Sequence, residues 1–331
     1  MKRTLGKSGI EVSALGLGCW AIGGPWIFLG KPAGWSSVDD NESIRAIQKA
    51  VEMGVNFFDT AANYGAGHSE SILGKAIGSI RDKVVISTKF GYNVDEKSKS
   101  VSLHNDPEED SNLAEHVRSE LEASLRRLNT DYVDVYLIHV WGLSIERALE
   151  ARQVLDALVK EGTIRTYGWS TDRTDAIEEF ADTPNCSVIQ QQFSVFDGNR
   201  ELLSHCEQAG LASMNRGPLG MGILTGKFTK DTTFSNDDVR KFAEWHPGFK
   251  NGKPIQKWLT ALDSVREVLT ANGRTLTQGA LAWIWGRSAV TIPIPGFKTV
   301  KQIEENCGAM QFGPLTSPQM EEIDKILGSV F

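Results

Sequence analysis

The sequence predicts an α/β fold of the (β/α)8, or TIM barrel, type that spans residues 1–331 as one domain. Three observations predict it. Eight short runs of mainly apolar and β-branched residues recur along the chain, helical patterns separate them, and the runs do not alternate regularly with polar residues. Such strands between helices indicate a parallel sheet that is covered on both faces. Eight strand–helix units in a chain of this length fit a closed barrel better than an open sheet.

The predicted strands lie within 14–20, 56–60, 84–91, 132–139, 163–170, 186–194, 210–216 and 290–296. Helices are predicted near 42–53, 69–78, 145–160 and 173–181, with another that begins after Asn112. The first helix should begin with a capping box formed by Asp39 and Glu42 and should end at Gly54. Asn112 and Glu115 form a similar pair at the start of their helix.

The sequence also predicts the structure or role of segments outside the eight strand–helix units. Residues 4–16, with Ser8 and Gly9 at the turn, are predicted to form a hairpin that plugs the N-terminal face of the barrel. The amphipathic segment 316–327 is predicted to be a helix that packs outside the barrel. The long insertions near 92–111 and 217–256 are expected to be functional, because loops of this length inside compact domains usually are.

Composition excludes several classes of function. The net charge is −7, so a nucleic-acid-binding protein, which needs basic surfaces, is not expected. The sequence contains no apolar run of about 20 residues, the length that a membrane span requires. The four cysteines, Cys19, Cys186, Cys206 and Cys307, show no CxxC spacing. We therefore expect reduced thiols in a cytoplasmic protein, without disulfides or a metal site.

Ionisable residues close three neighbouring predicted strands. Asp59 ends the second strand, Lys89 the third and His139 the fourth, and Tyr64 follows Asp59 by one short loop. One such residue alone would usually be a turn residue or a solvated surface group. The carboxyl ends of barrel strands meet at one rim, however, so these four side chains should converge there. Burying them together is costly unless they pair with one another.

The four residue types suggest a specific chemistry. A tyrosine hydroxyl has a pKa near 10 in water, which is too high for easy proton donation at neutral pH. An adjacent lysine ammonium, held by an aspartate, favours the phenolate and should lower that pKa. A histidine can orient a carbonyl oxygen by hydrogen bonding. We therefore predict that Asp59 anchors Lys89, and that Tyr64 protonates an oxyanion as it forms.

The segments DTAANYG, STKFG and LIH, in this order, resemble the motifs of the aldo-keto reductase family, and the resemblance covers nearly the whole chain. Matched to the family's catalytic tetrad are Asp59, Tyr64, Lys89 and His139. The resemblance implies a bacterial-type member that reduces aldehydes or ketones reversibly to alcohols. It further implies a small-molecule carbonyl or alcohol substrate and a nicotinamide cofactor.

The residues themselves also predict which segments bind the cofactor. No GxGxxG motif follows a strand, which disfavours a Rossmann fold. Instead, the glycine-rich segment 216–228 follows the seventh strand, so its backbone amides can approach a diphosphate while Lys227 supplies charge. In 294–306, Lys298 and Thr299 precede a helix N-terminus and predict an anion site.

The resemblance completes the site residue by residue. It assigns Ser170 and Gln190 to the nicotinamide carboxamide, and Arg240 to the adenosine or a phosphate. The predicted cofactor-binding residues are Cys19, Trp20, Asp59, Ser170, Gln190, Arg216, Gly217, Leu219, Gly220, Gly222, Lys227, Arg240, Gly296, Lys298, Gln302, Glu305 and Asn306, the last three at the adenosine end. The predicted substrate-binding residues are Trp20, Tyr64, His139 and Trp141. Since Lys298 is one cation on a partly exposed rim, we predict that NADP(H) is preferred about ten- to thirtyfold, with NAD(H) usable.

Three positions depart from the family pattern. Arg216 stands where many members have an aromatic residue that stacks on the nicotinamide, and Thr171 where many have an asparagine. The fourth strand continues with Val140 and Trp141 in place of the commoner His-x-Pro-Asp, and this places Trp141 near the mouth of the barrel. A planar guanidinium can also stack on a ring, so the first departure is compatible with cofactor binding.

Two other functions stay open at this point. Lys89 could form a Schiff base in an aldolase, a chemistry that also occurs on (β/α)8 barrels, although this leaves the glycine-rich segment and Gln190 unexplained. The chain could also be a cofactor-binding module that senses redox state with little turnover.

Overall fold

This computed structural model describes residues 1–104, 112–140, 142–175, 177–178 and 183–329. In this part of the chain, eight parallel strands form a nearly closed barrel. They are β1 (Leu17–Gly18), β2 (Phe57–Asp59), β3 (Val85–Phe90), β4 (Val133–Ile138), β5 (Ile164–Ser170), β6 (Cys186–Gln192), β7 (Ala212–Arg216) and β8 (Thr291–Pro293). Each strand pairs with the next along the chain. The ring is completed beside β1, where the Gly18 amide donates to the Pro295 carbonyl at 3.0 Å. The predicted fold class is confirmed.

Helices surround the barrel. They are α1 (Asp40–Glu52), α2 (His68–Ile77), α3 (Leu113–Leu128), α4 (Ile145–Glu161), α5 (Arg200–Ala209), α6 (Gln256–Thr270), α7 (Leu276–Arg287), α8 (Val300–Gly308) and α9 (Ser317–Gly328). All eight strands fall inside their predicted ranges, and α1, α2 and α4 agree with prediction to within two residues at each end. Part of the helix predicted at 173–181 lies outside the described residues. The predicted C-terminal helix is confirmed as α9.

The N-terminal hairpin closes the bottom of the barrel. Its strands, Lys2–Thr4 and Glu11–Ser13, pair antiparallel, and Gly9 adopts a φ of 71° at the turn. Leu5, Ile10 and Val12 are buried in a cluster of inward-facing strand residues, including Val135 of β4 and Met214 of β7. The predicted plug is confirmed, and its apolar side chains exclude water from the lower half of the barrel.

Both long insertions form structure at the opposite rim. In the third loop, Asn93–Asp95 and Ser100–Ser102 join Ile27–Phe28 and Lys31–Pro32 of the first loop in a four-stranded sheet. The seventh loop contacts the first loop as well, because the Val239 amide donates to the Gly34 carbonyl at 2.8 Å. Three loops therefore enclose the carboxyl ends of the strands.

The predicted capping box of α1 is wrong in one half. The Asp39 carboxylate accepts hydrogen bonds from the Asn41 and Glu42 amides, as an N-cap should. The Glu42 side chain instead crosses to α8, where it accepts from the Val300 amide at 2.8 Å. A tertiary partner replaces the local one, because α1 and α8 lie side by side on the barrel.

In the described part of the chain, no helix combines the length and the apolar character that crossing a bilayer requires.

The plug yields a stability prediction. Leu5 is fully buried, so Leu5→Ala should lower the free energy of unfolding by about 2–5 kcal/mol through lost apolar burial and the cavity left behind. The matched control is Leu29→Ala, since Leu29 is 61% exposed. Urea denaturation monitored by circular dichroism measures both. Equal, small effects in the two variants would show that the hairpin does not plug the barrel.

Candidate active site

The centre of the site is an ion pair inside the barrel. Asp59 is the last residue of β2, and Lys89 lies near the end of β3. Both are buried, with exposed fractions of 2% and 1%. The Lys89 ammonium donates to Asp59 Oδ2 at 2.8 Å, to the Thr60 carbonyl at 2.6 Å and to the Tyr64 hydroxyl at 3.3 Å. Each of its three N–H donors therefore has an acceptor.

Tyr64 and His139 face the same opening. Tyr64 is partly exposed, and its ring stacks on Trp20 with centroids 6.0 Å apart. The His139 ring meets the Tyr64 ring edge-on at 5.9 Å. The hydroxyl of Tyr92 donates to the His139 carbonyl at 3.2 Å. This hydrogen bond holds the main chain directly after β4, from which the imidazole projects. The structure thus brings together the four predicted catalytic side chains.

Burial and charge set the protonation state of each group. Burial alone would lower the pKa of Lys89, but Asp59 and then Tyr64 outweigh it, so the pKa of Lys89 is raised and the lysine stays charged. Burial, reinforced by the charges of Lys89 and Arg216, holds the pKa of His139 well below its usual value. The imidazole is therefore neutral at pH 7 and carries one N–H that can donate to an oxygen.

Lys89 favours the phenolate as predicted, but the predicted net lowering of the Tyr64 pKa is wrong. Burial raises the pKa of Tyr64, and the Lys89 ammonium opposes this effect without reversing it. Sequence alone could not weigh these two effects, because the burial of Tyr64 depends on Trp20 and His139, which come from other strands. Tyr64 is consequently a fully protonated hydroxyl with a cation 3.3 Å from its oxygen.

On one side of this centre, β5 and β6 present two amide-binding groups. Ser170 pairs with Gln190 across the two strands, and its hydroxyl donates to Gln190 Oε1 at 3.0 Å. Gln190 Nε2 donates to the Met214 sulfur at 3.2 Å, which is a weak acceptor. The buried amide N–H of Gln190 can therefore be satisfied better by an added carbonyl oxygen, and this fits a nicotinamide carboxamide.

At the end of β7, Arg216 is held in place by polar partners. Its guanidinium forms an ion pair with Asp172 and donates to Gln192 Oε1 at 3.1 Å. The side chain of Arg216 stays 27% exposed, which leaves part of its planar surface open to a ring. Sequence reasoning missed Asp172, although its position directly after the end of β5 was a signal for a rim residue.

The glycine-rich segment after β7 adopts backbone angles that residues with a side chain rarely adopt. Gly217, Gly220 and Gly222 have φ angles of 62°, 54° and 101°. A Cβ added at Gly217 would lie 2.5 Å from Gln192 Oε1. Leu219 is partly exposed between these glycines. This shallow cradle suits a ligand that must approach the main chain closely, as a diphosphate does.

At the start of α8, several amides of the predicted anion site are bonded to the protein's own oxygens. A capping box is present, in which Thr299 Oγ1 accepts from the Gln302 amide. In return, Gln302 Oε1 accepts from the Lys298 amide at 2.6 Å and from the Thr299 amide at 3.3 Å. The next amide, of Val300, is bonded to Glu42. The Thr299 amide is therefore already bonded to Gln302 within the capping box.

The cations near α8 are also engaged. Lys298 Nζ donates to the Ser36 carbonyl at 2.6 Å, and burial lowers its pKa. Arg240 donates from Nε to Asp238 Oδ1 at 2.8 Å and lies 4.7 Å from the centroid of Trp35. Lys227 lies beside the glycine-rich segment, and partial desolvation of its ammonium, followed by the charge of Arg240, lowers its pKa.

Three more predicted cofactor residues make contacts within the protein. The Cys19 amide donates to the Asp59 carbonyl at 2.8 Å, and the Cys19 thiol is buried. Asn306 Nδ2 donates to the Gly296 carbonyl at 3.4 Å, and the Glu305 carbonyl accepts from the Gln278 side chain. Cys19 can therefore only form part of the wall of a site. The carboxylate of Glu305 and the amide oxygen of Asn306 can still accept hydrogen bonds from a ligand.

The mouth of the site is aromatic. Trp35 of the first loop meets Trp20 edge-on with centroids 5.5 Å apart, so the two rings form a wall beside Tyr64. Trp141, predicted to bind substrate, lies outside the described residues. Sequence reasoning missed the contact of Tyr92 with His139 and the contact of Glu42 with Val300. Tyr92 follows Lys89 by three positions and could have been noticed, while nothing local marks Glu42.

Comparisons with known proteins agree with this geometry. The sequence model of the Aldo/keto reductase family matches residues 14–328. The aldo-keto reductase YhdN of Bacillus subtilis (strain 168) is 31% identical over 329 residues, which cover 98% of this chain and 92% of that protein. The NADH-specific methylglyoxal reductase of Escherichia coli (strain K12) is 31% identical over 315 residues, which cover 93% of each chain.

Among solved structures, the glycerol dehydrogenase AKR11B4 from Gluconobacter oxydans superposes with a TM-score of 0.80 at 29% sequence identity. The match covers 99% of this chain and 95% of that chain. Relatives in sequence and in fold thus include proteins described as aldo-keto reductases or dehydrogenases.

The ion pair yields a prediction with a defined pH dependence. Asp59→Asn removes the partner of a buried ammonium and should lower the free energy of unfolding at pH 7 by about 3–5 kcal/mol. Without Asp59 the pKa of Lys89 falls below its unfolded value, so the unfolded state binds more protons between the two pKa values. The variant should therefore regain stability as pH rises toward 10, as measured by urea denaturation.

The double variant Asp59→Asn/Lys89→Met is the matched control, because it removes the charge that Asp59 neutralises. It should recover most of the lost stability and show no such pH dependence. Equal stability of the single and double variants across pH would contradict the assigned pairing.

Proposed function

The chain belongs to the aldo/keto reductase family, an oxidoreductase family, and we propose that it reduces aldehydes or ketones to alcohols with a nicotinamide cofactor. The observation that carries the proposal is the contact of the Lys89 ammonium with both Asp59 and the Tyr64 hydroxyl. A protonated tyrosine beside a fixed cation is suited to deliver a proton to an oxyanion, because the cation stabilises the phenolate left behind.

The residues present fit the cofactor. Ser170 and Gln190 would hold its carboxamide, Arg216 would lie on its ring, and the glycine-rich segment 217–222 would lie against its diphosphate. When bound, the reduced nicotinamide supplies the hydride that the carbonyl carbon needs. The remaining task of the chain is to orient the carbonyl and provide one proton.

The tetrad residues perform that task in order. The neutral imidazole of His139 donates a hydrogen bond to the carbonyl oxygen and fixes its direction. Tyr64 donates to the same oxygen, and as negative charge develops there its proton transfers to form the alcohol. Lys89 stabilises the tyrosinate, and Asp59 keeps Lys89 charged and in position. In the alcohol-oxidising direction the same steps run in reverse.

The proposed substrates are small polar carbonyl compounds, including sugar-type ones. Trp20 and Trp35 form an apolar wall, while Tyr64 and His139 supply the polar groups that face it. We propose Trp141 as a further part of this mouth. Two relatives support small oxygen-rich substrates, since one is named as a methylglyoxal reductase and the other as a glycerol dehydrogenase.

The aldolase alternative is not favoured. A lysine that forms a Schiff base must be neutral to attack a carbonyl, and such lysines have lowered pKa values. In this site Asp59 and Tyr64 raise the pKa of Lys89 instead. All three ammonium protons are also committed to acceptors on the protein.

For the cofactor we propose NADP(H) with a small preference, and NAD(H) as usable. Lys298 supports the preference, since its ammonium lies at the predicted adenosine end. Two observations limit it. Lys298 is already bonded to the Ser36 carbonyl, and the relative from Escherichia coli is named as NADH-specific.

Replacing the proton donor tests the proposal. Tyr64→Phe keeps the ring but removes the hydroxyl, so carbonyl reduction should fall by about 10²–10⁴-fold, the usual contribution of a general acid. Binding of NADPH, followed by quenching of tryptophan fluorescence, should change little. The assay is oxidation of NADPH and of NADH over a panel of aldehydes, ketones and sugars.

Tyr132→Phe is the control, because Tyr132 lies outside the site, with Arg81 stacked on its ring at 3.9 Å. Near-normal turnover in Tyr64→Phe would remove the role assigned to Tyr64. If the unmodified protein binds the cofactor tightly but reduces nothing on the panel, the redox-sensing function replaces the reductase.

A further inference from the structure

Glu42 makes an unusual connection between two helices at the predicted adenosine end. It belongs to the first turn of α1, and its Oε1 accepts from the Val300 amide of α8 at 2.8 Å. Its Oε2 accepts from Arg45 at 2.6 Å. The Glu42 side chain is 25% exposed. The carboxylate is therefore held in one place by two partners while one side of it faces solvent.

The position of this carboxylate matters because the N-terminus of α8 would otherwise be available to an anion. The N-terminus of a helix attracts anions through its free amides and its dipole. The amides of Lys298, Thr299 and Gln302 are satisfied inside the capping box. The Val300 amide, in the same turn, is bonded to Glu42. The protein thus supplies its own anion at the point where an added phosphate would seek the same donor.

The Glu42 carboxylate itself repels a second anion, while the other charges around it are mixed. The guanidinium of Arg45 is paired with Glu42, and Lys298 is turned toward the carbonyls of Ser36 and Ser37 in the first loop. Asp238 and Asp237 act on Lys298 as negative neighbours, and Arg240 and Lys227 act on it as positive ones. A neutral sugar hydroxyl meets no such obstacle, because a carboxylate accepts a hydrogen bond from it, as an acidic residue does with the ribose in other dinucleotide sites.

We propose that Glu42 is a specificity-determining residue of the cofactor site, which disfavours the 2′-phosphate of NADP(H) and tolerates the 2′-hydroxyl of NAD(H). It acts by occupying the Val300 amide and by repelling like charge. The inference rests on the proposed function, in which the start of α8 contacts the adenosine end. Lys298 and Glu42 then act in opposite directions, and this accounts for a preference that is small.

Glu42→Gln tests the proposal, because glutamine keeps an oxygen for the Val300 amide and removes only the charge. The measured quantity is the ratio of the dissociation constants of NADP⁺ and NAD⁺, obtained by isothermal titration calorimetry on the full chain. The ratio should fall about tenfold, since one like charge near the phosphate is removed. Adenosine 2′,5′-bisphosphate and adenosine 5′-phosphate serve as fragment probes and should show the same change.

Three further variants isolate the effect. Glu52→Gln changes the net charge equally at the other end of α1, where Glu52 is 70% exposed, and should leave the ratio unchanged. Glu42→Gln/Arg45→Gln removes the guanidinium that Glu42 would release, and the ratio should still fall. Lys298→Ala should raise the ratio, because it removes the opposing cation.

An unchanged or increased ratio in Glu42→Gln, with both dinucleotides bound by the unmodified protein, would overturn the role of Glu42 and leave the reductase proposal intact. A fall that Glu52→Gln reproduces would also overturn it, because the cause would be net charge alone. If the unmodified protein binds neither dinucleotide, the proposed function fails, and the role of Glu42 fails with it.

Discussion

The buried ion pair of Lys89 and Asp59 is the constraint on which the upper half of the barrel depends. An ammonium with 1% exposure needs a counter-charge and three acceptors. Asp59 at the end of β2 supplies the charge, and the Thr60 carbonyl and the Tyr64 hydroxyl complete the set. The chain leaving β2 must therefore turn back over β3, and this turn places Tyr64 at the rim. The apolar plug below makes the pair more sensitive to its partners, since it keeps water out of the barrel.

The same low-polarity environment decides what the site can donate. It raises the pKa of Tyr64, so the hydroxyl keeps its proton, and it lowers the pKa of His139, so the imidazole stays neutral. Both groups are thus hydrogen-bond donors at one opening, while the positive charge of Lys89 lies behind the tyrosine. Such an arrangement opposes binding of a cation and favours an oxygen on which negative charge develops.

Much of the fold and the tetrad was predictable, because their signals are local. An apolar strand that ends in an ionisable residue marks both a barrel strand and its rim, as Asp59, Lys89 and His139 do. Contacts between distant segments were not predictable. Glu42 looks like half of a capping box until the fold brings it to Val300, 258 positions away. The sign of the Tyr64 pKa shift likewise depends on how deeply neighbouring strands and loops bury the ring.

The central claim is that the Lys89 charge acts on the oxygen of Tyr64. The most direct measurement is the pKa of Tyr64 itself, followed by ¹³C NMR of Cζ-labelled tyrosine, with Tyr64→Phe to assign the signal. Lys89 lowers this pKa while burial raises it. The account predicts that Lys89→Met moves the pKa of Tyr64 further upward, because the main opposition to the effect of burial is then removed. An unchanged or lower pKa of Tyr64 in Lys89→Met would show that the lysine does not stabilise the phenolate, and would contradict the mechanism.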